Sequence, residues 1–88
     1  MSENSNKPWF LYLIECQDGS IYTGITVDVA KRYKAHEMGK GAKYMRAHPP
    51  KRLLKVMAFN NRSEASKAEY MIKKLPASEK RAIVVTMA

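Results

Sequence analysis

A chain of 88 residues with 45% hydrophobic content makes one globular domain with a thin core, and argues against disorder. Sixteen Lys and Arg against eight Asp and Glu leave a net charge of +8, a balance that favours a polyanionic partner, nucleic acid being the commonest. Cys16 is the sole cysteine, which excludes an internal disulfide and a thiolate zinc site, and no apolar run approaches the roughly 18 residues that span a bilayer.

Residues 1–8 are polar without an apolar core, so they read as a short flexible leader and not as a secretory signal. A cytoplasmic setting is expected, with a single domain over residues 9–86. Trp9 to Cys16 is a nearly continuous apolar run, which predicts a strand covered on both faces and a buried, inert Cys16 thiol. Gln17-Asp18-Gly19-Ser20 is a turn, and Ile21 to Ile25 returns as an antiparallel strand. Tyr12 and Tyr22 then lie on neighbouring strands, far from the turn and roughly across from each other. Gly24 marks a place where the backbone passes close to another group.

Thr26 or Asp28 caps the next helix, which runs to about Met38 with Val29, Ala30 and Tyr33 as its apolar stripe. Arg32 and His36 are four apart and share a face beside that stripe. Gly39-Lys40-Gly41 stops the helix, and from there to Pro50 the chain reads as a basic loop. Arg52 to Phe59 reads as a third strand, with Leu54, Val56 and Ala58 on one face and Leu53, Met57 and Phe59 on the other. Asn61 and Glu64 resemble a capping box for a helix from Arg62 to Leu75, apolar at Ala65, Ala68, Ile72 and Leu75. After Pro76 a last helix, about Ser78 to Val85, packs Ala82 and Ile83. The order β-β-α-β-α-α implies an α+β fold, a small three-stranded antiparallel sheet flanked by helices.

Tyr12, Tyr22, Arg32, His36 and Glu69 supply phenol, guanidinium, imidazole and carboxylate. These are the parts of a metal-assisted phosphodiesterase: a base, a charge clamp and a metal ligand. Each also has an ordinary explanation. Strand tyrosines are usually core or rim residues, a helix arginine faces solvent, and a histidine beside an apolar stripe is structural. Glu69, about 40° round its helix from Ala65, sits at the margin of the buried face, where a rim salt bridge to a lysine is the plain reading. In the basic segment Lys40, Lys43 and Arg46 neutralise phosphates, and Tyr44 stacks on an unpaired base.

The order and spacing of these five residues resemble the GIY-YIG endonuclease superfamily, especially its small stand-alone bacterial (YhbQ-like) branch, over about Trp9 to Ala82. The resemblance implies that Tyr12 and Tyr22 orient or deprotonate the attacking water, either one being the base. It implies further that Arg32 contacts the scissile phosphate, that His36 relays a proton or binds phosphate, and that Glu69 holds one Mg²⁺ or Mn²⁺. Phe10 and Leu11 stand where the family has glycine and isoleucine, and Thr23 replaces the isoleucine of the second motif. Ile25, followed by Thr26, occupies the place just after Tyr-x-Gly where some DNA-repair relatives carry a lysine.

The expected activity is metal-dependent hydrolysis of nucleic acid, DNA in preference to RNA, selective for structure instead of sequence and placed in DNA repair or processing. Two other readings stand beside it. One is a non-catalytic nucleic-acid-binding module that keeps the fold. The other is a basic adaptor for an acidic protein, which has no use for Glu69 beside Arg32.

Overall fold

The structure, a computed structural model, describes residues 7–86, with side chains through Val84; Met1 to Asn6 of the expected leader lie outside the described residues. Strands β1 (Trp9–Cys16), β2 (Ile21–Thr26) and β3 (Pro50–Phe59) form an antiparallel sheet in the order β2-β1-β3. Central β1 is buried from Leu11 to Cys16, as its nearly continuous apolar run predicts, with Glu15 the one charged residue in it. Helices α1 (Val29–Glu37) and α2 (Lys43–Ala47) cover one face, where Tyr12, Ile14 and Cys16 pack with Val29, Tyr33 and Met45. Helices α3 (Arg62–Lys73) and α4 (Ala77–Thr86) cover the other, where Leu11, Leu13 and Ile21 meet Ala68, Ile72 and Ile83. Each fully buried aliphatic side chain contributes about 1.5–3 kcal/mol.

The caps follow local chemistry. Asp28 accepts from the Lys31 N–H at 3.0 Å and is the α1 cap, while Thr26 Oγ1 accepts from the Asp28 N–H at 3.2 Å and braces it. Asn61 accepts from the Glu64 N–H at 3.0 Å, the forward half of the expected capping box.

Five local expectations are corrected. Lys43–Ala47 is a short helix inside the expected loop, held by Met45, whose side chain is 1% exposed. In β3, which begins at Pro50 and not Arg52, Leu13 pairs with Lys55 but Ile14 with Leu53, so Leu54 is an extra residue. That bulge turns Leu54 onto the same face as Met57 and Phe59 and leaves Leu53 and Val56 exposed, where strict alternation groups Leu54 with Val56. Helix α3 ends at Lys73, short of Leu75, with Lys74 as its cap. Helix α4 half-buries Ile83 and Val84 against the core, while Ala82 is exposed.

Polar contacts fasten α4 to the β1–β2 turn. Arg81 donates to the Gly19 carbonyl at 2.8 Å and pairs with Glu15 at 3.1 Å, and Arg52 Nε donates to Glu15 at 2.6 Å. Arg52 first, then Arg81, hold the Glu15 carboxyl below its ordinary value, against the opposing effect of burial.

Candidate active site

Tyr12 pairs across the ladder with Gly24, and Tyr22 with Ile14, so the tyrosines lie diagonally on one face, not directly opposite. Their ring centroids are 6.1 Å apart. The close approach anticipated at Gly24 comes from Tyr12: a Cβ on Gly24 would collide with the Tyr12 hydroxyl and lie 2.6 Å from its Cζ.

His36, in the last turn of α1, is 1% exposed, and its Nε2 lies 3.0 Å from the Tyr12 hydroxyl. The imidazole tautomer sets the direction of that hydrogen bond. The ring also meets Tyr22 edge-on, at 5.4 Å between centroids and 69° between planes. Its Nδ1 is buried without a hydrogen-bond partner among the described residues, and a Cβ on Gly41 would fall on that nitrogen. Two glycines thus make room for two buried rings.

Gly24→Ala and Gly41→Ala should therefore each cost about 1–3 kcal/mol by overpacking. Urea unfolding measures the loss, and the Tyr12 and His36 ring resonances should move in both variants. Unchanged ring resonances would show that neither glycine sets the site.

Electrostatics distinguishes these rings. Burial foremost, then the Tyr22 phenol, pushes the Tyr12 pKa up to about 12, against the pull of the nearby Arg32 guanidinium. Burial, then Arg32, presses the His36 pKa below its ordinary value of 6.5. At neutral pH the cluster therefore holds a protonated phenol beside an uncharged imidazole. Arg32, one turn before His36, is half-buried and lines a cleft of about 330 Å³ with Thr26, Val27 and Lys31.

Tyr44, on α2, stacks on Tyr22 at 5.6 Å and 25°, and on His48 at 4.1 Å and 18°. The ring expected to meet an unpaired base already forms a wall of the site, with 38% of the residue exposed. His48 Nδ1 is 2.5 Å from Asp18 Oδ2, and hydrogen bonds from Ser20 and then from His48 hold the Asp18 carboxyl well below the usual carboxylate range. Sequence reasoning missed this Asp18–His48 pair; the available signal was the four-residue spacing of Tyr44 and His48, legible only if the segment is read as helical. Lys40, Lys43 and Arg46 are exposed beside this wall.

Glu69 stands apart. Its side chain is 20% exposed and pairs with Lys73 at 3.3 Å, the plain rim salt bridge. Among the described residues no hydrogen bond or ion pair links it directly to Tyr12, Tyr22, Arg32 or His36. Lys73 provides the bridge in space, because it lines a cleft of about 290 Å³ with Tyr22, Thr23 and Tyr44 at the β2 edge. No group of three or more His, Cys, Asp or Glu gathers among the described residues, so a many-ligand metal cage is not built. Magnesium commonly keeps several waters and takes one or two carboxylates plus substrate phosphate, and the partly exposed Glu69 fits that limited role.

The GIY-YIG catalytic domain family matches residues 8–82, and the chain belongs to that family. Within it, the relatives are small bacterial UPF0213 proteins. The protein from Cupriavidus pinatubonensis is 53% identical over 74 residues, covering 84% of this chain and 82% of the relative. The protein from Cupriavidus necator is 52% identical over 79 residues, 90% of this chain and 86% of the relative. The solution NMR structure of a UPF0213 protein from Bacillus halodurans is similar at a TM-score of 0.57 and 44% identity, covering 90% of this chain and 84% of that one. A solution structure from E. faecalis gives 0.65 at 38% identity, covering 92% and 86%. Among the described residues no helix is long and apolar enough to cross a membrane.

Proposed function

We propose that this chain is a Mg²⁺- or Mn²⁺-dependent endonuclease that hydrolyses DNA phosphodiesters, selecting structure over sequence, in DNA repair or processing. The observation that carries the reading is the buried Tyr12–His36 hydrogen bond beside Arg32, inside a GIY-YIG catalytic domain. A phenol with a pKa near 12 is a poor free base at neutral pH. Bonded to a neutral imidazole it has another route: Tyr12 takes the proton of the attacking water while its own proton passes to His36 Nε2. Tyr22, against both rings, orients that water. Arg32 holds the phosphate and offsets the charge that grows on its oxygens. Glu69 holds the ion, which when bound supplies charge stabilisation for the phosphate and the leaving oxygen.

One observation favours a second reading, the nucleic-acid-binding module: Glu69 is already neutralised by Lys73. Both readings need strand binding through the exposed Lys40, Lys43 and Arg46. If about four to six phosphates are neutralised, the log–log salt slope should be about −3 to −5. Changing those three residues together to alanine should flatten it by about two to three units. A parent slope near zero would leave only the adaptor for an acidic protein. Metal-dependent nicking of branched, gapped and single-stranded DNA separates enzyme from module.

A further inference from the structure

Beyond the residues assigned above, the edge of β2 carries a second basic feature. Lys73 from the last turn of α3 and Lys80 from α4 line one cleft of about 290 Å³ with Ile21, Tyr22, Thr23 and Tyr44. The short break between the helices at Pro76 folds them so that both lysines reach it. We propose that this cleft is a phosphate subsite, in which Lys73 and Lys80 hold a phosphodiester of the bound strand next to the one that is cut. The proposal rests on the nuclease reading and extends its substrate path around the β2 edge.

Three features fit an anion. Among the described residues Lys80 has one polar partner here, the Ile21 carbonyl at 3.4 Å, a long contact for an ammonium with three donors. Burial and the neighbouring Lys73 both press the Lys80 ammonium toward losing its proton, a cost that a bound phosphate relieves. Thr23, also in the lining, keeps a buried hydroxyl with no hydrogen-bond partner among the described residues, one that a small side-chain adjustment would turn toward an anion. The position suits a strand more than a small ion. Tyr22 belongs both to this cleft and to the ring cluster with His36, so a phosphate held here adjoins the proposed reaction centre. Tyr44 supplies an aromatic wall for the attached sugar or base.

The test uses the intact protein without metal, so that binding is read apart from cleavage. Lysine side-chain NMR signals are followed while a single-stranded hexanucleotide, or inorganic phosphate, is titrated in. Lys73 and Lys80 should shift with the oligonucleotide at a concentration at least tenfold below that needed with phosphate. The Lys73→Ala/Lys80→Ala pair should flatten the single-strand salt slope by about 0.7 to 1.4 units, and Lys80→Arg should keep it. If the alanine pair fails to fold, the titration of the native chain decides. Oligonucleotide binding that moves Lys40 and Lys43 but leaves Lys73 and Lys80 still overturns the subsite while strand binding stands. Phosphate binding as tight as the strand would make this a small-anion pocket and overturn the proposal. Absence of any strand binding removes the subsite and the nuclease reading together.

Discussion

Tyr12→Phe should lower single-turnover DNA cleavage by about 10²- to 10⁴-fold while leaving affinity nearly unchanged. The substitution keeps the buried ring and removes only the hydroxyl that meets His36 Nε2 at 3.0 Å. If Tyr12 and His36 move one proton between them, their effects are not additive: Tyr12→Phe combined with His36→Ala should be no slower than the worse single variant. Tyr22→Phe should cost at least the lower figure, and Arg32→Ala should be as damaging because it removes the charge clamp. The pH dependence has a definite sign. Relay needs neutral His36, whose pKa is depressed below 6.5, so the rate should hold as pH falls through 6.5 and drop only at lower pH. A rate that already halves near pH 7, with the same titration lost in His36→Ala, would contradict the depressed His36 pKa, and a pH profile and rate unchanged in His36→Ala would contradict the relay.

Glu69→Gln should abolish metal-dependent cleavage, with fold and DNA affinity nearly intact. The carboxylate lies at the helix margin and, among the described residues, pairs only with Lys73, so an isosteric amide removes charge at almost constant shape. Exposed ion pairs of this i,i+4 kind contribute about 0.3–0.5 kcal/mol, too little for their loss to unfold the chain. Calorimetric titration with Mn²⁺ in the presence of a non-hydrolysable DNA analogue should lose its binding signal in the same variant. Cleavage equal to the parent's would return Glu69 to the rim salt bridge and take the metal site with it.

Much of this was legible in the residues themselves. The nearly continuous apolar run Leu11 to Cys16 marks a central strand, and the Asp28 and Asn61 caps mark where helices begin. Helical spacing placed Arg32 and His36 on one face, and Gly24 announced a close approach. What was hidden depended on tertiary register. The bulge at Leu54 reverses the apparent faces of β3, and no local pattern signals it. The diagonal offset of Tyr12 and Tyr22 follows from pairing Tyr12 with Gly24, which the turn alone does not specify. The α2 turn exists because Met45 finds a buried seat, so the Tyr22–Tyr44–His48 stack and its Asp18 anchor have no signature in a segment that reads as basic loop. Lys80 reaches the site through the fold of α4 across the β1–β2 turn, far along the chain from Tyr22.

The most direct measurement is Mg²⁺-dependent nicking, under single-turnover conditions, of a panel of branched, gapped and single-stranded DNAs by the parent beside Tyr12→Phe, Arg32→Ala and Glu69→Gln. The expected result is cleavage of at least one structured substrate by the parent, stopped by chelation and lowered at least about 10²-fold in each variant. No metal-dependent cleavage on any substrate, or activity that survives all three substitutions, would contradict a nuclease and leave the nucleic-acid-binding module.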